Sequence, residues 1–530
     1  MSSPILAQQH LENGEFAAEW RGFLFVRGHS AGADSVARLC RELRQNGPEQ
    51  ALGLARGSFS LSLLDKRTRT SFICSDPFAL VQVLAAGDQA GNDLIGLIRV
   101  LPKEDASLNR DGLAAFLRYG CYTLGNTIDR RVRALSGGEI LAKPAGAHGW
   151  QRFEKAWPRP TATEFEFDRY IGDLKTAVTG QRISLDLTGG IDSRLLAAAF
   201  KHAQIPLADC ATMGSAVQKD LPIAQQVAAA LNIPHRPAQH TERNFEGRIP
   251  ELLRVTNGQT ALATYDHAFQ FARERISRGI DLAISGVGGE LWKDFWWLQD
   301  FPLLSGSPRL EWLYATRIEP RHPDTSIYTA GFAETFGTAR NEYLGAMARY
   351  SALPKTMAYD SVYAFLRVPS VVGPWVSATL RTGLPTLCPL LDIDGVHAAM
   401  HMQRRQRLFA SWHRATISRL APEISRLRTA EGTSSRAGAA ALVDIPLYVF
   451  DKSLRLTQKV AQRLGYRDVI RRSVFDAQTY RTDAVHELAN EAVQILSRCG
   501  VLRPEIDPAN LSFPQFERVL TAGLLLQEIY

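Results

Sequence analysis

Residues 185–196 read LDLTGGIDSRLL: a short apolar run, two adjacent glycines, an Asp-Ser pair and a segment with helical spacing. This strand–turn–helix junction constrains the fold more than any other stretch. In open α/β sheets, ligands gather at the carboxyl ends of strands, where loops lead into helices. Gly189 and Gly190 allow a sharp turn and bring N–H groups close to a ligand. A helix beginning near Ser193 points its positive end at the same spot. Thr188 and Ser193 add hydroxyls, so the turn can wrap a phosphate or pyrophosphate. Asp192 cannot itself favour an anion. Beside a phosphate cradle, a carboxylate makes sense if it holds a Mg²⁺ that bridges phosphate oxygens. The plainer alternative is a tight strand-to-helix turn with Ser-Asp as a cap.

The surrounding pattern supports a parallel sheet with helices on both faces. Helices are expected over Phe165–Val178, Arg194–His202 and Asp220–Leu231, and buried strands over Arg182–Leu187, Leu207–Met213 and Ile280–Ser285. Before them the chain reads as strands and hairpins: Phe23–Val26, Ser58–Leu63, a polar turn at Asp65–Thr68 and a returning strand at Thr70–Cys74. Trp157–Thr161 carries two prolines and reads as a linker. The expected division is 1–157, a linker at 158–164, and 165–530. From about Ser305 the pattern is mostly helical, and Thr429–Ala441, rich in Ala, Gly and Ser, reads as a mobile loop.

Composition excludes several classes. With 45% apolar and 22% charged residues over 530 positions, disorder, collagen and coiled coil fit poorly. A net charge of +7 over this length is a mild excess that does not make a nucleic-acid protein. The basic run Gln403–Arg407 reads as a solvated helix face. The six cysteines have no close pair of metal-ligand spacing, which argues against a zinc site or disulfide framework and suits a reducing cytoplasm. No signal peptide or membrane-length apolar run is read, so no membrane partner is expected.

Thr188-Gly189-Gly190-Ile191-Asp192-Ser193 closely resembles the SGGxDS pyrophosphate loop of the asparagine-synthetase-like ATP pyrophosphatases. Thr212-Met213-Gly214, then Asp220 to Ala228 and His235, is similar to that family's second strand and helix. Ser285-Gly286-Val287-Gly288-Gly289-Glu290 resembles its SGxGxD segment. Cys388-Pro389-Leu390-Leu391-Asp392 resembles P-F-L-D, and Leu420–Ile424 the helical part that follows. Gly57–Leu61, Asp65 and Ser75-Asp76-Pro77 look like the family's N-terminal glutaminase-type domain. The implied fold is an Ntn-type αββα sandwich followed by a parallel-sheet ATP pyrophosphatase domain of the adenine nucleotide α-hydrolase kind.

The resemblance implies an ATP-dependent carbon–nitrogen ligase. A substrate carboxylate would attack the α-phosphate of ATP, giving an acyl-adenylate and pyrophosphate, and an amine would then form the amide. By the same resemblance, ATP and Mg²⁺ are the cofactors. Thr188, Gly189, Gly190, Asp192 and Ser193 would hold pyrophosphate. Leu187, Met213, Ser285 and Gly286 would line the adenosine side, and Asp192 and Glu290 would hold the metal.

Two departures bear on the second half-reaction. Val287 stands where several relatives carry glutamate or tyrosine. The late lysine of several relatives has no clear counterpart, with Arg426 and Arg428 near its place; Arg428 is the candidate for that catalytic charge. Tyr265, Asp266 or His267 are alternative proton routes. Glutamine-using relatives expose a cysteine directly after the initiator methionine. Here the chain reads Met1-Ser2-Ser3, so a degenerate glutaminase-like domain is expected, with Ser2 a conceivable residual nucleophile. Relatives without a glutaminase include β-lactam synthetases and lasso-peptide macrolactam cyclases. The expected partners are accordingly a peptide or small-molecule carboxylate substrate, with a partner protease or peptide-recognition protein. Amidation with ammonia supplied in trans, and a non-catalytic scaffold, are the alternatives. His397 and His401 lack the acid of an HExxH motif. Trp292, Phe295, Trp296 and Trp297 suit a pocket wall or a core equally.

Overall fold

The computed structural model describes the chain outside residues 1–8, 103–107, 159, 162–163, 214–219, 239–240, 297–305, 321–323, 448, 451–452, 455–456 and 458–476. Ser2, Gly214 and Trp297 therefore lie outside the described residues.

The first part runs β1 (Gln9–Glu12), β2 (Phe16–Phe25), α1 (Ala33–Gly53), β3 (Arg56–Asp65), β4 (Thr70–Ser75), β5 (Leu84–Ala86), β6 (Gln89–Gly91), α2 (Leu94–Val100), α3 (Arg110–Tyr119), β7 (Arg133–Ala134), β8 (Glu139–Pro144) and β9 (Gln151–Glu154). An antiparallel sheet in the order β1-β2-β3-β4-β8-β9 forms its body, and β6-β5-β7 make a small second sheet. Side-chain alternation explains how β2 serves two faces. Phe16, Ala18 and Trp20 pack with Val36 and Leu39 of α1 and with Phe59, Leu61 and Leu63 of β3. Phe23 and Phe25 belong instead to the largest core, shared with Leu187, Leu195 and Leu390.

The second part runs α4 (Phe167–Ala177), β10 (Ile183–Asp186), α5 (Ile191–His202), β11 (Asp209–Met213), α6 (Asp220–Ala230), β12 (His235–Ala238), α7 (Phe245–Thr256), α8 (Leu262–Ser277), β13 (Leu282–Ile284) and, after several helices, β14 (Thr386–Leu387). These five strands are all parallel, in the order β12-β11-β10-β13-β14. The chain is thus mixed α/β, with one parallel and one large antiparallel sheet. The central strands β10 and β13 are short and mostly buried, as in a parallel sheet covered on both faces. Strand order reverses between β10 and β13, which leaves a crevice at their carboxyl ends.

A buried ion cluster joins the two parts. Arg27 Nη2 lies 2.6 Å from Asp392 Oδ1 and 3.0 Å from Asp394 Oδ2, while Arg56 Nη2 donates to both Asp394 oxygens at 3.0 Å. Asp392 also accepts from the Gly395 N–H as the cap of helix Ile393–His401. The Arg27 guanidinium sits over the rings of Phe165 and Tyr170.

Two expectations change. The segment from Thr429 to Ala441 reads as a mobile loop; it is irregular as far as Ala437, but Thr429, Thr433, Ser434, Ser435 and Ala441 are buried. Its small residues serve close packing: Ala430 N–H donates to Gly189 O at 2.9 Å and Ser435 N–H to Ser425 O at 2.8 Å. Within the basic run, Arg404 and Arg405 are exposed as expected. Arg407 is buried and donates to Asp360 Oδ2 at 2.7 Å, because its charge has a buried partner on another helix.

Candidate active site

The TGGIDS segment leaves β10 and enters α5 at Ile191, with Gly190 as the helix cap. The loop is braced internally. Thr188 N–H donates to Ser193 Oγ at 3.0 Å, and Gly190 N–H donates to Thr188 Oγ1 at 3.1 Å. Gly189 N–H donates to Asp220 Oδ1 at 2.8 Å, from the first turn of α6. From behind, buried Arg194 holds the 424–435 segment. It donates to the carbonyls of Leu427 (2.6 Å) and Arg428 (2.8 Å) and lies 3.0 Å from Ser435 Oγ.

The glycine segment after β13 packs against this loop. A Cβ on Gly286 would lie 3.0 Å from Ser193 N, and one on Gly289 would lie 2.5 Å from Asp192 Cγ. Gly288 has φ +94°, a conformation that favours glycine. Gly289→Ala is therefore expected to destabilise the protein by about 1–3 kcal/mol through overpacking. A thermal melt would read this, and an unchanged melting point would show that the two loops part readily.

Asp192 is the centre of the cluster. Lys293 Nζ donates to its Oδ2 at 2.5 Å. His413 Nε2, fully buried on helix Ser411–Leu420, lies 3.0 Å from Oδ1 but is not aligned as a hydrogen bond. Burial by itself would raise the Asp192 pKa. The Lys293 charge and the His413 contact outweigh it and hold the carboxyl well below its usual range. Burial, reinforced by Asp192, pushes Glu290 upward. Burial would lower Lys293, but Asp192, Glu290 and Glu431 outweigh it and keep the ammonium charged. Burial lowers His413 and keeps its imidazole neutral. Tyr363, on the π-helical turn Tyr363–Arg367, is held well above its usual value by burial, then by Glu290 and Asp192.

The residues expected from sequence fall at this crevice to different degrees. Thr188 to Ser193, Met213, Ser285, Gly286 and Glu290 all stand at or just beyond the carboxyl ends of β10, β11 and β13. Leu187 is also there, but its side chain is fully buried and its carbonyl accepts from the Thr212 hydroxyl at 2.5 Å. Val287 packs against the core. Arg428 is exposed, with its guanidinium 3.4 Å from Gly432 O, and is not in the Asp192 cluster. Tyr265 bonds Thr379, and Asp266 is paired with Arg248. Trp292 and Trp296 are buried, Trp292 stacking on Trp412. Lys293, His413 and Tyr363 were not anticipated.

Residues 175–292 match the sequence model of the asparagine synthase family. This segment is similar to the asparagine synthase family. The match spans both glycine loops, from the end of α4 to Trp292, and stops one residue before Lys293. No curated protein matches the chain. That likeness points to the class of ATP-dependent amidotransferases and ligases. Among the described residues no helix is long and apolar enough to cross a membrane.

A metal on the carboxylate pair fits these residues poorly. Mg²⁺ requires near-octahedral oxygen ligands at about 2.0–2.1 Å and retains several waters. Here Lys293 takes Asp192 Oδ2, the His413 ring crowds Oδ1, and Glu290 Oε2 accepts the Gly288 N–H at 3.0 Å. Among the described residues no group of three or more His, Cys, Asp or Glu side chains is arranged to hold a metal.

Proposed function

We propose that the chain is an ATP-dependent ligase that adenylates a substrate carboxylate and passes the acyl group to an amine, independently of glutamine. The single observation that carries this reading is the pairing of the TGGIDS loop and the Gly286–Glu290 loop across β10 and β13. They line one crevice at the sheet's switch point, with Asp192 between them. The positive N-terminus of α5, entered at Ile191, suits the β- and γ-phosphates. The carboxylate oxygen attacks the α-phosphorus, the bond to the bridging oxygen breaks, and its electron pair leaves with pyrophosphate. Fixed donors stabilise that departing charge. The amine then displaces AMP from the acyl carbon.

In this proposal residues 1–157 form an Ntn-type glutaminase-like sandwich that has lost its activity, 158–164 a linker, and 165–530 the ATP pyrophosphatase domain. Support for glutamine independence comes from the thiols of the first part. Cys40 in α1, Cys74 in β4 and Cys121 are all buried, and burial pushes the Cys40 thiol up to about 11. None is presented as a nucleophile. A ligase of this kind uses an amine carried by its own substrate, so a cytoplasmic macrolactam or lasso-peptide cyclase acting on a peptide is the preferred assignment. Such a cyclase would work beside a protease or peptide-recognition partner. Amidation of a small metabolite with ammonia supplied in trans is the second reading; Val287, which has no proton to exchange, leaves deprotonation of the amine to another group.

Purified protein incubated with ATP, magnesium chloride and fractionated cell extract should release AMP and pyrophosphate, and mass spectrometry should show one peptide losing water or, in the second reading, one metabolite exchanging its carboxyl hydroxyl for an amino group. Release of ADP and phosphate instead would sink the adenylation chemistry.

A further inference from the structure

The crevice contains a cation that belongs to the chain. Lys293 directly follows the 3₁₀ turn Gly289–Trp292, so its backbone stands just past the loop that follows β13. That backbone is fixed: the Lys293 carbonyl accepts from Arg407 Nη2 at 3.3 Å, and Arg407 is anchored on buried Asp360. The four-carbon stem carries the ammonium back to Asp192, the acid of the pyrophosphate loop. An ammonium has three donors. One is used by Asp192 Oδ2, and the side chain is about 20% exposed. Asp192 and Lys293 cancel in charge, and the positive end of α5 lies beside them.

We propose that Lys293 is the resident phosphate-binding cation of the site, standing where a carboxylate-bound metal would otherwise sit and donating to the pyrophosphate portion of the nucleotide. Asp192 is then a positioning residue, which aims the ammonium and maintains its charge. His413, packed against the opposite oxygen, keeps the carboxylate turned towards Lys293. The proposal rests on the nucleotide-site reading above, and the test separates the two.

Binding of α,β-methylene-ATP is measured by calorimetry with EDTA and with magnesium chloride, on wild type, Lys293→Gln and Lys293→Arg, each checked for folding by circular dichroism. Wild type should bind in EDTA within about tenfold of its affinity in magnesium. Lys293→Gln should lose about ten- to hundredfold in EDTA, the size of one charge-assisted hydrogen bond, with magnesium restoring part of the loss. Lys293→Arg should stay close to wild type. Electron paramagnetic resonance of Mn²⁺ supplies a second readout: Lys293→Gln should gain a bound ion at the released Asp192–Glu290 pair, and wild type should not. Wild-type binding that requires magnesium, or an unchanged EDTA affinity in Lys293→Gln, would overturn the role of Lys293. An analogue that binds wild type in neither condition would remove the nucleotide site, and this proposal with it.

Discussion

Asp192→Asn should lower pyrophosphate release about 100- to 1,000-fold, the range seen when one group that stabilises transition-state charge is removed. The substitution is nearly isosteric and keeps a hydrogen-bonding oxygen, so the loop retains its shape. What disappears is the charge that holds Lys293 at 2.5 Å and compensates an ammonium enclosed by the two loops. A folded variant with wild-type thermal stability and a lost reaction would assign the effect to electrostatics. The check is AMP formation under the conditions that give activity in wild type. Activity within threefold or so of wild type would place the nucleotide chemistry elsewhere, since one such group is worth far more than that.

The second large effect is on stability. Asp392→Ala should cost about 3–5 kcal/mol, because it leaves buried Arg56 and half-buried Arg27 without one of their two acids. Of this, about 1 kcal/mol belongs to the lost helix cap at Gly395. Asp392→Asn keeps a capping side chain and removes the charge, so the difference between the two variants isolates the cap. Denaturant unfolding provides the measurement. Wild-type midpoints in both would show that Asp394 alone satisfies the two arginines, and that the cluster does not tie the antiparallel sheet to the parallel one.

The sequence revealed three of the five parallel strands, because these are short, largely apolar runs, whereas β12 (HRPA) and the two-residue β14 carry no such run. The expected spans for β10, β11, β13, α4, α5 and α6 differ from those observed by only a few residues. The glycine loops were legible for a chemical reason, since tight turns with hydroxyls and an acid are a small vocabulary. Lys293 was not, because it sits inside Trp292-Lys293-Asp294-Phe295-Trp296, where aromatic neighbours suggest core. A lone lysine within such a run was the available signal. His413 carries no local mark at all; it reaches Asp192 only through the packing of helix Ser411–Leu420 on α5. The Arg27, Arg56, Asp392 and Asp394 cluster joins residues 338 and 365 positions apart, a pairing that no local pattern encodes. Thr429–Ala441 is irregular as far as Ala437, as its composition suggests, and its small residues also serve tight contacts.

The Arg194 brace has a consequence for how this protein is made. Its carbonyl partners lie 230 to 234 positions further along the chain. At about 5–20 residues per second, a ribosome takes roughly ten to fifty seconds to cover that distance. For that interval the nascent TGGIDS loop has its helix and strand but not the segment that closes over its back. Arg194 meanwhile waits with an unpaired guanidinium. The nucleotide loop is thus translated well before the segment that completes it. A chain terminated before residue 424 would carry the whole motif and still lack a finished cradle.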